Sequence, residues 1–487
     1  MTIRPQMLTF GYGTAIYGIS IFFTRIITLI LVPVYTNRLS VYEVGIIIFF
    51  EMIEALFVSL VPLGSINSMW RYLPSANTVG KKKVIFSTFL INFLCCSVFS
   101  IIFFLLIPQL SEIFVYQNIE FLLSLLIASC FLKSISVFIY YMLQYENKTV
   151  LYLIFSLVQS LLIFSLTIYF IVCLDLGVAG IYYSKIIVFL ILAITTIVYL
   201  LKIHLAVPSI NYIKKIISYG LPTVPFALLL PILTYSDRIF LDYYLSLEDV
   251  GRYGIAFKFG MLVQMFLVVP VDKTFSPNLF KIGIGSEKDL KIHSDIANYY
   301  SLIGLLFLFI LTLFSKDILL FFTNHSYSSE YWLIPLISLA YYVGGFRVFF
   351  KAGPALSDQT HYFAYIGLFT IIINIFLNYL LIKSFGLLGA SLSKILSFIS
   401  LIVMMNYVSK NTVKIKWPIK KTIKGILLMT ILLIIYYLIT NHISIYDFLF
   451  KVIISFSFFV LLFFFRIIEK KEIAKIKNTY NAFINKG

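Results

Sequence analysis

The sequence is poor in charge. Asp, Glu, Lys and Arg make up only 12% of its 487 residues, where soluble domains carry about 25%. A surface so thinly charged excludes a soluble globular fold and implies contact with lipid. Acids are scarcest, 21 against 38 basic residues. Four cysteines, Cys95, Cys96, Cys130 and Cys173, lie in or beside apolar runs without CxxC spacing, which excludes a disulfide framework or a zinc site. Five scattered histidines show no HxxxH spacing. There is no DxD motif, no Ser/His/Asp grouping and no long polar loop, so nothing points to a glycosyltransferase, polymerase or ligase. No metal, cofactor or enzymatic activity is expected.

What is present is apolar: 61% hydrophobic and 18% aromatic residues. Phe suits lipid-facing helix surfaces and Tyr the interfacial belts. A helix needs about 20 apolar residues to cross a bilayer. About fourteen such stretches begin near Phe10, Val44, Val84, Ile119, Val150, Val178, Ile216, Val250, Ile296, Trp332, Tyr362, Leu387, Ile423 and Phe448. They are twice the length of β-barrel strands and apolar all round, which predicts an all-α polytopic membrane protein. The first run, Phe10 to Leu31, is too long for a signal-peptide core and holds Arg25, so it reads as the first span.

With the N-terminus placed in the cytoplasm, about 26 Lys and Arg fall inside and about six outside (Arg38, Arg238, Arg252, Lys316, Lys383 and Lys451). That bias predicts both termini in the cytoplasm. The formal charge of +17 is read as loop retention and attraction to anionic lipid, with no nucleic-acid partner.

The chain also repeats itself. Leu39-Ser40-Val41-Tyr42-Glu43-Val44-Gly45 matches Leu245-Ser246-Leu247-Glu248-Asp249-Val250-Gly251, an offset of 206. Gly177 to Ile186 and Gly386 to Ile395 both read GxxGxxxSKI, an offset of 209. Six helices separate the copies, so the halves share one orientation about an axis normal to the membrane. This predicts lobes over 1–205 and 206–410 around a central cavity, with 411–487 adding two helices and a basic tail. Paired lobes suit alternating access.

Pro33-Val34-Tyr35-Thr36-Asn37-Arg38-Leu39-Ser40 with Glu43-Val44-Gly45 resembles the segment that follows the first helix of polysaccharide flippases. Asp237-Arg238, Leu245-Ser246, Asp249-Val250-Gly251 and Tyr253 resemble the matching segment of their second half. Asn374, Asn378 and Gly386-Leu387-Leu388-Gly389-Ala390 resemble the helix and turn beyond it. Over about residues 8 to 410 the chain is similar to the Wzx-like O-antigen and polysaccharide transporters of the multidrug/oligosaccharidyl-lipid/polysaccharide superfamily. The resemblance implies a two-lobed fold in the bacterial inner membrane, a cationic cavity, and an undecaprenyl-diphosphate-linked oligosaccharide as cargo. A monomer is expected. Lipid II flippases are similar in size, but an acid lies close to the arginine of their first helix. Arg25 has none nearby in sequence, which favours the O-antigen or capsule branch. A cation-coupled multidrug exporter of the superfamily is the other alternative; the cationic excess argues against it.

Six cations fall within predicted spans: Arg25, Lys133, Lys185, Lys258, Arg347 and Lys394. Facing lipid, they would cost about 15–20 kcal/mol in all on insertion scales, so most are expected to face the interior or reach an interface. Lys133 lies mid-helix, and Arg25 and Lys258 are deep. Lys185 and Lys394, equivalent in the repeat, either snorkel outward or line an outer vestibule. Arg347, near a cytoplasmic helix end, either snorkels or joins the cavity. Glu51 and Glu54 share one helix face. They either pair with Arg25 or a nearby lysine, or couple transport to a proton or sodium ion. Pro222, Pro225 and Pro231 predict a bent seventh span. Tyrosines such as Tyr12, Tyr17, Tyr140 and Tyr141 are candidates for stacking on sugars.

Overall fold

The computed structural model describes residues 18–20, 22–112, 114, 116–273, 275, 287–356, 361–412, 418–440 and 447–465. Tyr12, Tyr17, the start of the first span and the basic tail beyond residue 465 lie outside these residues. Among the described residues the chain is helical without strands, and thirteen segments are long and apolar enough to cross a membrane. They are α1 (Gly18–Arg38), α2 (Val41–Tyr72), α3 (Thr78–Leu105), α4 (Ile119–Tyr145), α5 (Thr149–Cys173), α6 (Gly177–Ile203), α7 (Ile210–Tyr235), α8 (Leu247–Lys273), α9 (Leu290–Leu313) and α10 (His325–Pro354). Tyr362–Lys410, Ile419–Ile439 and Asp447–Phe464 follow. The 49-residue segment Tyr362–Lys410 would extend about 74 Å as one rod, far beyond a hydrocarbon core of about 30 Å. It breaks at Gly386 (φ 56°, ψ −130°), giving α11 (362–385) and α12 (387–410). Ile419–Ile439 is α13 and Asp447–Phe464 is α14. The chain is a multi-pass membrane protein.

Local chemistry explains where the helices start and bend. Ser40 caps α2 by accepting from the Glu43 amide at 3.2 Å, while Glu43 accepts from the Ser40 amide at 2.8 Å, a reciprocal box that satisfies two orphan donors. Ser246 accepts from the Asp249 amide at 3.2 Å at the start of α8. The repeat in sequence is thus a repeat in capping. In α7 a 3-10 turn at Leu221–Thr223 precedes Val224–Tyr235, which carries Pro231 inside it. A short helix, Asp237–Tyr244, follows at a break.

The repeat also governs packing. A Cβ on Gly45 would lie 1.9 Å from the Leu247 carbonyl oxygen; one on Gly251 would lie 2.6 Å from that of Val41. Each glycine of one copy meets the repeat equivalent of what the other meets, so α2 and α8 cross as a pseudo-twofold pair whose backbones touch. The two GxxGxxxSKI motifs likewise share a conformation: Gly177 and Gly386 have φ of 54° and 56°, a region that favours glycine.

Contacts divide the chain into two compact units. One comprises residues 1–258, 322–330 and 360–400; the other comprises 259–321, 331–359 and 401–487. In the second unit, a Ser301–Thr422 hydroxyl contact of 2.7 Å joins α9 to α13, and Lys451 of α14 pairs with Asp317 and Asp447 at 2.6 Å each.

Candidate functional site

Three of the ion-paired groups in the first unit hold cations of the predicted spans. α2 presents Glu51 and Glu54 one turn apart, and α4, α6 and α8 supply the partners. Lys133 reaches Glu54 Oε1 at 2.5 Å and Lys185 reaches Oε2 at 2.7 Å, so one carboxylate holds two ammonium groups, one on each oxygen. Lys258 meets Glu51 Oε1 at 2.6 Å. Of the alternatives open in the sequence, lysine, not Arg25, is the partner of both acids. Glu54 is nearly enclosed, whereas the Lys133 side chain is 30% exposed and that of Lys185 16%. Lys133 also lies 5.8 Å over the Phe189 ring and Lys185 5.0 Å over Tyr182, contacts that favour a partly desolvated cation.

The third group was only partly legible in sequence. Asp237 Oδ2 accepts from Lys394 Nζ at 2.8 Å and from the Tyr253 hydroxyl at 2.7 Å, and Oδ1 lies 3.5 Å from Arg238. Arg238, counted among the outside cations above, is instead 1% exposed. Neither cation snorkels. Lys394 donates to the carbonyls of Thr234 (2.9 Å) and Leu233 (3.3 Å), and Arg238 to Thr234 (3.2 Å). These carbonyls belong to the last turn of α7, where the helix leaves acceptors unpaired and its dipole favours cations. Phe257 lies beneath both, 4.8 Å from Arg238 and 4.7 Å from Lys394. Beside them, Ser236 donates to Asn374 Oδ1 at 2.7 Å, Asn378 donates to Ser236 at 3.1 Å, and Ser393 donates to Asn378. This lattice binds α7, α11 and α12 through buried polar groups, each of which would be costly if left unpaired.

Arg25 is an exposed residue of α1 and forms no hydrogen bond or ion pair among the described residues. It lines a pocket of about 250 Å³ together with Tyr140 of α4 and Tyr152 and Gln159 of α5. Tyr140 follows Lys133 by seven residues, about two turns, on α4, so the pocket and the Lys133–Glu54 pair share that helix. Arg347 belongs to the second unit, where it donates to the Gly344 carbonyl at 3.0 Å.

No curated protein matches the sequence. Solved structures match in fold. A lipid II flippase, MurJ, in an inward closed conformation is 16% identical with a TM-score of 0.71, over 94% of this chain and 99% of that one. An inward-facing multidrug resistance transporter of the MATE family, in the MOP superfamily, is 14% identical with a TM-score of 0.64, over 80% and 95%. A MOP superfamily transporter from Pyrococcus furiosus is 14% identical with a TM-score of 0.58, over 82% and 95%. Identities this low establish the fold alone. The model of the polysaccharide biosynthesis protein family matches residues 10–282, more than half of the chain, and the protein belongs to that family.

Proposed function

We propose that the protein is a flippase that carries an undecaprenyl-diphosphate-linked oligosaccharide, an O-antigen or capsule repeat unit, across the bacterial inner membrane by alternating access. The observation that carries this reading is the charge balance of the first unit. Among the described residues Glu51 and Glu54 pair with Lys133, Lys185 and Lys258, and Arg25 adds a further cation without an acid partner. These four cations exceed the two acids by two positive charges within membrane-spanning helices. A cavity built for cationic drugs would need the opposite sign. A diphosphate brings about two negative charges, and ammonium and guanidinium groups replace the water it loses.

In this reading the lobes are residues 1–205 and 206–410, with 411–487 as two extra helices and a basic tail; both termini are cytoplasmic, and the protein works as a monomer. Lys133, Lys185 and Lys258 rest on carboxylates until the phosphates take them. The released Glu51 and Glu54 are then free to bind a proton or sodium ion, which couples cargo to ion. Lys394, with its ammonium bound to Asp237 and two carbonyls, has a structural role. Moving two negative charges outward is favoured by about 4–5 kcal/mol per 100 mV of membrane potential, inside negative.

Deletion of the gene should abolish surface polysaccharide while lipid-linked oligosaccharide accumulates in the membrane. The wild-type gene should restore export; Arg25→Ala and Lys258→Ala should not. Normal polysaccharide in the deletion strain would overturn the function, and full rescue by both variants would overturn the site. Accumulation of lipid II instead of oligosaccharide would select the lipid II reading.

A further inference from the structure

The pocket beside Arg25 has a chemistry that the ion pairs do not explain. Its hydroxyls are already engaged. Ser20 and Ser156 meet at 2.6 Å, Thr24 donates to the Ser20 carbonyl at 2.9 Å, and Ser160 donates to the Ser156 carbonyl at 2.8 Å. The Ser20–Ser156 contact, with Ser160 Oγ 3.2 Å from Thr24 Oγ1, holds α1 against α5 and leaves the pocket's recognition groups elsewhere. Tyr140 donates to Gln159 Oε1 at 2.6 Å. That bond fixes the amide so that its nitrogen, with two N–H donors, has no partner among the described residues. Arg25 adds five more donors. Tyr140 and Tyr152 meet edge to face with centroids 5.1 Å apart, and both rings line the pocket. The pocket thus sets the donors of Arg25 and Gln159 beside two aromatic rings, and no carboxylate lines it among the described residues. Its volume of about 250 Å³ falls below the roughly 300–1,000 Å³ that encloses a drug-sized ligand, which suits one sugar ring and not a whole repeat unit.

We propose that this pocket is the subsite for the single sugar joined to the diphosphate. Arg25 takes phosphate oxygens, the Gln159 amide donates to an oxygen of the sugar, and Tyr140 and Tyr152 lie against its C–H face. The proposal rests on the flippase reading and adds to it a specificity-determining element, Tyr140–Gln159–Tyr152, separate from the ion pairs.

The test compares two water-soluble probes on the purified full-length protein: a short-chain prenyl diphosphate, and the same lipid carrying one N-acetylhexosamine. Wild type should bind the sugar-bearing probe about tenfold tighter. Gln159→Leu and Tyr152→Leu should erase that preference while binding the bare diphosphate as wild type does. Arg25→Gln should weaken both probes. If Gln159→Leu does not fold, Gln159→Glu, of the same size, should also lose the preference, because it substitutes an acceptor for the donor. A preference unchanged in the Gln159 and Tyr152 variants would overturn the subsite, as would equal binding of both probes by wild type; either result leaves the flippase reading standing. Binding of neither probe by wild type would remove both.

Discussion

Lys185 and Lys394 occupy the same place in two copies of one motif, and the fold uses them differently. Each shares a single carboxylate with a second cation: Lys185 shares Glu54 with Lys133, and Lys394 shares Asp237 with Arg238. The arrangement of one acid and two cations is therefore repeated. Exposure is not. Lys133 and Lys185 keep 30% and 16% of their side-chain surface open, whereas Lys394 keeps 2% and Arg238 1%. Helix-end carbonyls and Tyr253 complete the second centre. In the first, the only acceptor of either ammonium among the described residues is the Glu54 carboxylate. In the proposed transport cycle a centre of the first kind trades its carboxylate for a phosphate. One of the second kind is a fastener.

The sharpest way to break this comparison is to remove each acid. Asp237→Leu strands two enclosed cations and should cost about 3–5 kcal/mol or more, the range for breaking a buried pair. Glu54→Leu strands two cations that retain water, so its cost should be smaller. Thermal unfolding of the detergent-solubilised variants measures both. A larger loss for Glu54→Leu would refute the distinction between trade and fastening.

Removing one lysine at a time should reverse the order in transport. With Lys185→Met, Lys133 still neutralises Glu54, so stability should change by about 1 kcal/mol or less, but flipping in proteoliposomes should fall about tenfold or more through loss of a charge-assisted contact to the cargo. Lys394→Met leaves Asp237 with the Tyr253 hydroxyl and the weak 3.5 Å Arg238 contact, and takes the ammonium from the Leu233 carbonyl while Arg238 still donates to that of Thr234. It should cost about 1–3 kcal/mol in stability, with transport per folded molecule unchanged. Equal transport by the two variants would show that exposure does not separate their roles.

The sequence made some of this legible. Spans and repeat could be read because hydropathy and capping are local: all but the first span, whose start lies outside the described residues, begin within about seven residues of the positions read from apolar runs. The buried charges of α2, α4, α6 and α8 could be found because a charge within an apolar run is conspicuous. Their pairing could not be read, since Glu54 meets residues 79 and 131 positions away and no local pattern encodes that distance. The burial of Arg238 could not be read for a related reason. It follows a helix end, where a charge count assumes water, and only the packing of neighbouring helices, with Phe257 of α8 beneath the guanidinium, encloses it. The pocket at Arg25 drew on α4 and α5, whose polar residues stand alone in sequence and gather only in the fold.

The contact between the repeats should show a milder form of the same contrast. Gly45→Ala places a methyl group 1.9 Å from a carbonyl oxygen, and Gly251→Ala one at 2.6 Å from its counterpart. Both should destabilise by about 1–3 kcal/mol, the range for overpacking, with Gly45→Ala the worse because the intrusion is deeper. A harmless Gly45→Ala would mean that α2 and α8 separate easily, and the pseudo-twofold contact would lose its role as the joint between copies.

The smallest effect belongs to a carboxylate that gathers several donors outside the membrane spans. Glu146, between α4 and α5, binds Lys148 at 2.6 Å and His204 at 2.9 Å and accepts from the Tyr199 hydroxyl. Burial alone would raise its pKa, but the hydrogen bonds from Lys148, Tyr199 and His204 outweigh it and hold the carboxyl below its ordinary value of 4.5. A lowered folded-state value contributes stability in full above the unfolded value and loses it as pH falls through the folded one. Glu146→Gln should therefore lower stability at pH 7 by about 1 kcal/mol or less, as partly exposed pairs do. The difference from wild type should shrink on acidification below about pH 4.5. Melting temperatures of the two proteins at pH 7 and pH 4 measure this. A gap that stayed constant between them would show that the cluster is held by packing around Tyr199 and not by the charge on Glu146.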